Sequence, residues 1–232
     1  PLILLLIFYY IFSKRVFPEF NTAKFVFDKK ELKRISKYSI FSVESSAAGL
    51  ILYYTDIVVI TYFSTLINVG LYSVALPTAK VLMYFPRAIH AITMPLVAEF
   101  WAKGKKELLK AGIEQLYKYY VIVILPAVLI MFSFAELLII LLYGREYILA
   151  AVPMKILSVG MVFEVLSFAN WSFFSGIGEP RINSKSLYYA AIFNLIGNLI
   201  LIPLIGINGA AIATAVSSLI ILVYGFMKIR EF

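Results

Sequence analysis

Of 232 residues, 62% are hydrophobic and 15% charged, and the mean hydropathy is +0.92; soluble domains hold about 45–50% apolar residues, so a water-soluble globule is excluded. The absence of cysteine removes disulfides, thiolate catalysis and cysteine metal sites together. A net charge of +8 would suit a nucleic-acid surface, but the placement of the cations, taken up below, argues against one.

Residues 1–12 are apolar and stop at Lys14 and Arg15. The stretch is too short to span a bilayer, and it lacks a charged n-region and a small-residue cleavage site. Residues 1–13 therefore read as the end of a preceding transmembrane helix that starts outside this sequence. Residues 14–37 read as a cytoplasmic linker. Within it, 24–37 form a short amphipathic helix with Asp28 and Glu31 in capping-box spacing. Residues 38–232 then form a six-helix lobe, with apolar stretches over about 38–62, 66–98, 119–143, 149–175, 186–205 and 207–227. Each is long enough as a helix to cross a hydrocarbon core of about 30 Å. Barrel strands need only about ten residues and alternate in polarity, so the fold class is all-α membrane, a multi-pass helical bundle. Between the second and third spans, residues 103–118 put Leu108, Leu109, Ile113 and Leu116 on one side. That pattern predicts an interfacial helix that lies along the membrane before turning into the third span. The connections near 67–70 and 206–209 are short and uncharged, which pairs spans 1–2, 3–4 and 5–6 as antiparallel hairpins.

Cations collect in alternate connections. Segment 14–37 carries Lys14, Arg15, Lys24, Lys29, Lys30, Lys33, Arg34 and Lys37, and segment 103–118 carries Lys103, Lys105, Lys106, Lys110 and Lys118. Arg181 and Lys185 lie between the fourth and fifth spans, and Lys228 and Arg230 follow the sixth, whereas the intervening connections hold only Arg145. This positive-inside pattern sets the basic loops and the C-terminus in the cytoplasm of a multi-pass plasma-membrane protein. The charge then reflects topology and attraction to lipid headgroups, with no nucleic-acid partner.

Ionisable side chains inside a bilayer are costly and usually face a cavity or a partner. The first span holds Glu44 and Asp56, the second Lys80, Arg87 and His90, the third Glu136, and the fourth Lys155 and Glu164 with Asn170 and Trp171 beyond. Lys80 and Arg87 stand two turns apart on one face of a straight helix, as Glu164, Ser167 and Trp171 share another. Two readings fit the cations: they line a functional cavity, or they form structural ion pairs with Asp56 or Glu164. Asp56 also fits an interfacial, solvated group. Glu136 reads as interfacial, Lys155 as a snorkelling cation, and His90 as a hydrogen-bonded packing residue. Asn194 and Asn198 read as a polar stripe joining helices. Pro77, Pro86 and Pro95 predict a second span bent around an aqueous cavity. One histidine and no H-E-x-x-H or G-x-S-x-G motif leave hydrolase chemistry without its parts, so neither enzymatic activity, nor a cofactor, nor a metal site is expected.

Several motifs occur in a characteristic order. Asp56 is followed by Val69-Gly70-Leu71-Tyr72-Ser73-Val74-Ala75, then by Met94-Pro95, Glu99 and Ala102-Lys103-Gly104. Leu142-Tyr143-Gly144-Arg145-Glu146-Tyr147 and Ala150-Ala151-Val152-Pro153 come next. Gly176-Ile177-Gly178-Glu179-Pro180 leads to Asn194, Asn198, Pro203, Gly206 and Gly209 through Thr214. This order resembles the C-terminal lobe of polysaccharide and O-antigen flippases of the MOP exporter superfamily. The resemblance implies two six-helix lobes enclosing a central cavity and rocking between inward- and outward-open states. It implies an N-terminal lobe of the same protein as partner, together with membrane lipids and a cargo of sugar on polyprenyl pyrophosphate, moved from the cytoplasmic to the outer leaflet. Lys80 and Arg87 are the expected pyrophosphate ligands, with Asp56, Glu164 and Trp171 completing the substrate site. Trp171, with Tyr84 and Phe174, would stack on sugar rings. A lipid II flippase and a multidrug or cation antiporter of the same superfamily remain alternatives, the latter expected to have an acidic cavity.

Overall fold

The computed structural model describes residues 2–16 and 28–232, and every element among them is helical. The chain divides into two units, Pro1–Ser39 and Ile40–Phe232. The first contains α1 (Leu2–Val16), apolar until Lys14 and Arg15, and the opening turns of α2 (Lys29–Phe63). The four leading N–H groups of a helix lack intrahelical acceptors. Here the Asp28 carboxylate takes one of them, the Lys30 N–H, at 2.8 Å. Residues 17–27, nearly half of the expected linker, lie outside the described residues.

The second unit continues α2 and adds α3 (Leu66–Lys80), α4 (Tyr84–Ala102), α5 (Lys106–Ser133), α6 (Ala135–Tyr143), α7 (Ala151–Gly176), α8 (Pro180–Ile205) and α9 (Ile207–Ile229). A 3₁₀ turn, Val81–Met83, joins α3 to α4, and another, Arg145–Ala150, leads into α7. Among the described residues five helical stretches are long and apolar enough to cross a membrane: Leu66–Ala102, Lys106–Ser133, Arg145–Gly176, Pro180–Ile205 and Ile207–Ile229. The remaining expected span, the first, corresponds to α2, whose apolar part, Ala47–Phe63, is shorter. The last two spans form the expected hairpin, packed along their length and turned at Gly206, whose φ of +62° is strained for any residue with a side chain.

Two expectations about the third span are corrected. Residues 106–118 do not lie apart as an interfacial helix; they are the first turns of α5, continuous with the span. Their apolar side finds protein instead of lipid: Leu109 is buried and Ile113 packs beside it, in a cluster with Val97, Phe173 and Phe174. The span is also divided, because Phe134 leaves the helical region (φ −103°, ψ 19°) between α5 and α6.

Helix α7 is the hub, in contact with α3, α4, α5, α8 and α9. A helix apolar on every side belongs in an interior, and Met154, Leu157, Met161, Val165 and Ala169 of α7 are wholly buried. They meet Tyr72, Ala75, Ala79, Tyr120, Ile124 and Ile139 from its neighbours in one core. Lipid tails are as apolar as leucine, so helices associate in a bilayer through close packing, and small residues set how close they come. The α7–α9 seam depends on such residues: a Cβ on Gly160 would stand 2.8 Å from Ala215 Cα, a backbone atom that has nowhere to go. Gly160→Ala is therefore expected to lower stability by about 1–3 kcal/mol, the usual cost of overpacking. Thermal unfolding of the detergent-solubilised full-length protein measures it, and an unchanged melting temperature would refute the close approach.

A candidate binding cavity

The cavity starts from a proline. Pro86 has no N–H to offer the Leu82 carbonyl four residues earlier, and its ring crowds that carbonyl. The backbone at Val81–Met83 tightens into a 3₁₀ turn, so the expected bend appears as a break between α3 and α4. Lys80 is the last residue of α3, and Arg87 lies in the first turn of α4. An α-helix advances about 100° per residue and a 3₁₀ helix about 120°, so the turn leaves the two side chains within roughly 40° of each other around the axis. Both line one cavity of about 420 Å³.

Four of the five expected site residues, Lys80, Arg87, Glu164 and Trp171, meet there, together with His90. Helix α7 supplies Glu164, Ser167, Phe168 and Trp171; α2 supplies Gly49, Leu52 and Tyr53; α9 supplies Thr214, Ser217 and Ser218. The Phe168 and Trp171 rings are stacked, with centroids 5.8 Å apart and planes 29° from parallel. The half-buried Lys80 ammonium rests 4.3 Å from the centroid of the Tyr53 ring. His90 Nδ1 is 2.8 Å from the Ser172 hydroxyl, which also accepts from Thr93 at 2.9 Å. The expected packing role of His90 is thus met on one side of a ring that also borders the cavity.

The ion-pair reading of Lys80 and Arg87 has no support in these contacts. Among the described residues no salt bridge joins either cation to Asp56 or Glu164; the side chain of Glu44 lies outside that set. The described lining therefore sets two cations against one carboxylate, unlike the acidic cavity expected of a cation antiporter. No cluster of three or more His, Asp or Glu side chains occurs among the described residues.

Asp56 requires a correction. It is neither solvated at an interface nor part of the cavity lining; its accessibility is 0%. Its carboxylate accepts three bonds, from the Tyr72 hydroxyl at 2.5 Å, the Thr214 hydroxyl at 2.6 Å and the Asn198 amide at 2.6 Å. Asn194 closes the network, accepting from Asn198 at 3.0 Å and donating to Thr214 at 3.2 Å. The asparagine stripe does join helices, as expected, and the group it joins them through is Asp56. Thr214 is the link to the cavity, since it borders the cavity while bonding to the carboxylate behind it.

Two aromatic assignments also change. Tyr84 is exposed away from the lining, and Phe174 is buried in the cluster with Val97 and Leu109, so neither reaches the cavity. The ring beside Trp171 is Phe168. Elsewhere, Lys155 bonds Glu136 at 3.1 Å, so these two residues are partners across α6 and α7.

Comparison with known proteins adds the following. A family model described as "Polysaccharide biosynthesis protein" matches residues 2–152. An uncharacterized membrane protein of Methanocaldococcus jannaschii, MJ1068, is 37% identical over 213 residues, 91% of this chain and 42% of that protein. The probable low-salt glycan biosynthesis flippase Agl15 of Haloferax volcanii is 26% identical over 188 residues, 81% of this chain and 40% of its own length. The lipid II flippase MurJ of Bacillus subtilis is 27% identical over 142 residues, covering 60% of this chain and 26% of MurJ. The chain thus spans well under half the length of these relatives. No solved structure matches.

Proposed function

We propose a function from the premise that this chain belongs to the polysaccharide biosynthesis protein family, a flippase family of the MOP exporter superfamily. The chain is the C-terminal lobe of a membrane flippase that moves a polyprenyl-pyrophosphate-linked saccharide from the cytoplasmic to the outer leaflet by alternating access. The observation that carries this reading is the cavity that Lys80 and Arg87 line, without a salt bridge among the described residues, together with Glu164 and the Phe168–Trp171 stack. A pyrophosphate needs charge compensation that lipid cannot give. A guanidinium offers its oxygens a fork of donors, and an ammonium adds a point charge. Sugar rings carry hydroxyls for a carboxylate to accept and C–H faces for aromatic rings to cover. Glu164 and Trp171 fill those roles on the α7 wall. Asp56 acts behind the cavity, fixing Thr214.

The test uses the full-length protein in liposomes with a fluorescent polyprenyl-pyrophosphate saccharide and a membrane-impermeant quencher. Quenching beyond the outer-leaflet pool is the expected result, and quenching limited to that pool would refute the reading. A lipid II flippase is the second reading, favoured by the similarity to MurJ. Running the assay with lipid II and with other saccharide lipids separates the two.

The orientation is part of the proposal. Cysteines at exposed Lys105 and Leu66 are expected to label from opposite sides, Lys105 from the cytoplasm and Leu66 from outside. Labelling of Lys105 by an impermeant reagent in intact cells would invert the topology and the direction of transport with it.

A further inference from the structure

We infer that Tyr53 is a positioning residue for Lys80, its ring face holding the ammonium in the direction from which the remaining N–H donors meet an anionic cargo group. The inference rests on the cavity reading above and goes beyond it, because it concerns what orients the cation. Lys80 is half-buried and has lost much of its hydration. A cation in that position ordinarily recruits a carboxylate, and Glu164 lines the same cavity, yet no salt bridge forms. The contact it does make is the face of Tyr53, 4.3 Å away. A ring face attracts a cation through its quadrupole, more weakly than a formal negative charge does. The difference has a use. A carboxylate partner would compete with phosphate for Lys80, whereas a ring fixes the side chain's direction and leaves its N–H donors to phosphate oxygens.

The position of the contact carries the inference one step further. Tyr53 belongs to α2, and Lys80 is the residue at which α3 gives way to the 3₁₀ turn. The Tyr53–Lys80 contact ties α2 to the break beside Pro86, so the cation that meets the cargo is held between α2 and the point where the second span is interrupted.

Transport of a polyprenyl-pyrophosphate monosaccharide by the full-length protein in liposomes tests this. Tyr53→Leu is expected to raise KM about tenfold with a smaller change in kcat, the signature of lost cargo binding. Tyr53→Phe keeps the ring face and restores most of the wild-type KM. Phenylalanines of increasing fluorination at position 53 keep the shape of the ring while draining charge from its face, and KM should climb stepwise along the series. In a Lys80→Gln background Tyr53→Leu should add nothing. If Lys80→Gln raises KM while the Tyr53 series stays level, or if Tyr53→Leu acts equally in the Lys80→Gln background, the inference fails and the cavity reading stands. If Lys80→Gln leaves KM at the wild-type value, both fail.

Discussion

Arg87→Ala in the full-length protein is expected to reduce transport of pyrophosphate-linked cargo by about a hundredfold while membrane levels of folded protein stay normal. The magnitude follows from losing charge-assisted bonds of about 1.5–3 kcal/mol at about 1.4 kcal/mol per tenfold. Normal folding follows from the contacts of the side chain. Arg87 is exposed at the cavity and makes no salt bridge among the described residues, so its removal strands no buried carboxylate. Arg87→Lys keeps the charge but loses the planar fork, and should recover part of the rate. A structural cation behaves otherwise: its loss lowers the amount of folded protein, and deleting the opposing acid restores it. Transport at the wild-type rate by Arg87→Ala would remove the guanidinium from the mechanism.

Asp56→Ala has the opposite profile, because its effect falls on the fold. Removing the carboxylate leaves the Tyr72 and Thr214 hydroxyls and the Asn198 amide without their acceptor; Tyr72 and Asn198 are closed to water, and Thr214 borders the cavity. Each buried orphan costs about 1–3 kcal/mol, and breaking a buried charged network about 3–5 kcal/mol. A loss of about 4 kcal/mol is a large part of the stability of a typical domain. The variant should accumulate poorly, and what is purified should unfold at a clearly lower temperature. Asp56→Asn keeps the volume and one acceptor oxygen, but turns a second donor toward the neighbouring donors, so an intermediate loss is expected. Melting temperatures equal to wild type for both variants would mean that the network carries no stability, and would return Asp56 to the cargo site as a candidate.

The two residues show what the sequence made legible. Lys80, Arg87 and Glu164 were recognisable because charge inside an apolar span is rare, and helical spacing put Trp171 on the face of Glu164. The break in the second span was legible from Pro86 for an equally local reason. Asp56 was misread because depth along one helix was the only coordinate available, while the residues that bury it come from α3, α8 and α9. Tyr53 and Thr214 were missed as site residues for want of contrast: a tyrosine is ordinary in a membrane helix, and Thr214, though part of the family motif, sits in a run of alanines and serines that reads as packing. Residues 106–118 misled in another way. An amphipathic pattern says that one face avoids water, but lipid and protein satisfy it equally, and here Leu109 and Ile113 found protein. The division at Phe134 has neither glycine nor proline beside it, so no local residue announced it.

The Asp56 network has a consequence for how the chain is made. Ribosomes add about 5–20 residues per second, and Tyr72 lies only 16 residues beyond Asp56, so the first hydroxyl arrives within about 3 s. Asn198 follows 142 residues after Asp56 and Thr214 158 residues after, which delays them by roughly 7–30 s. Over that interval only one of the carboxylate's three final partners has been made. The acid's full set of donors therefore exists only once the last hairpin has been synthesised, and a chain stopped before it leaves Asp56 short of two of them.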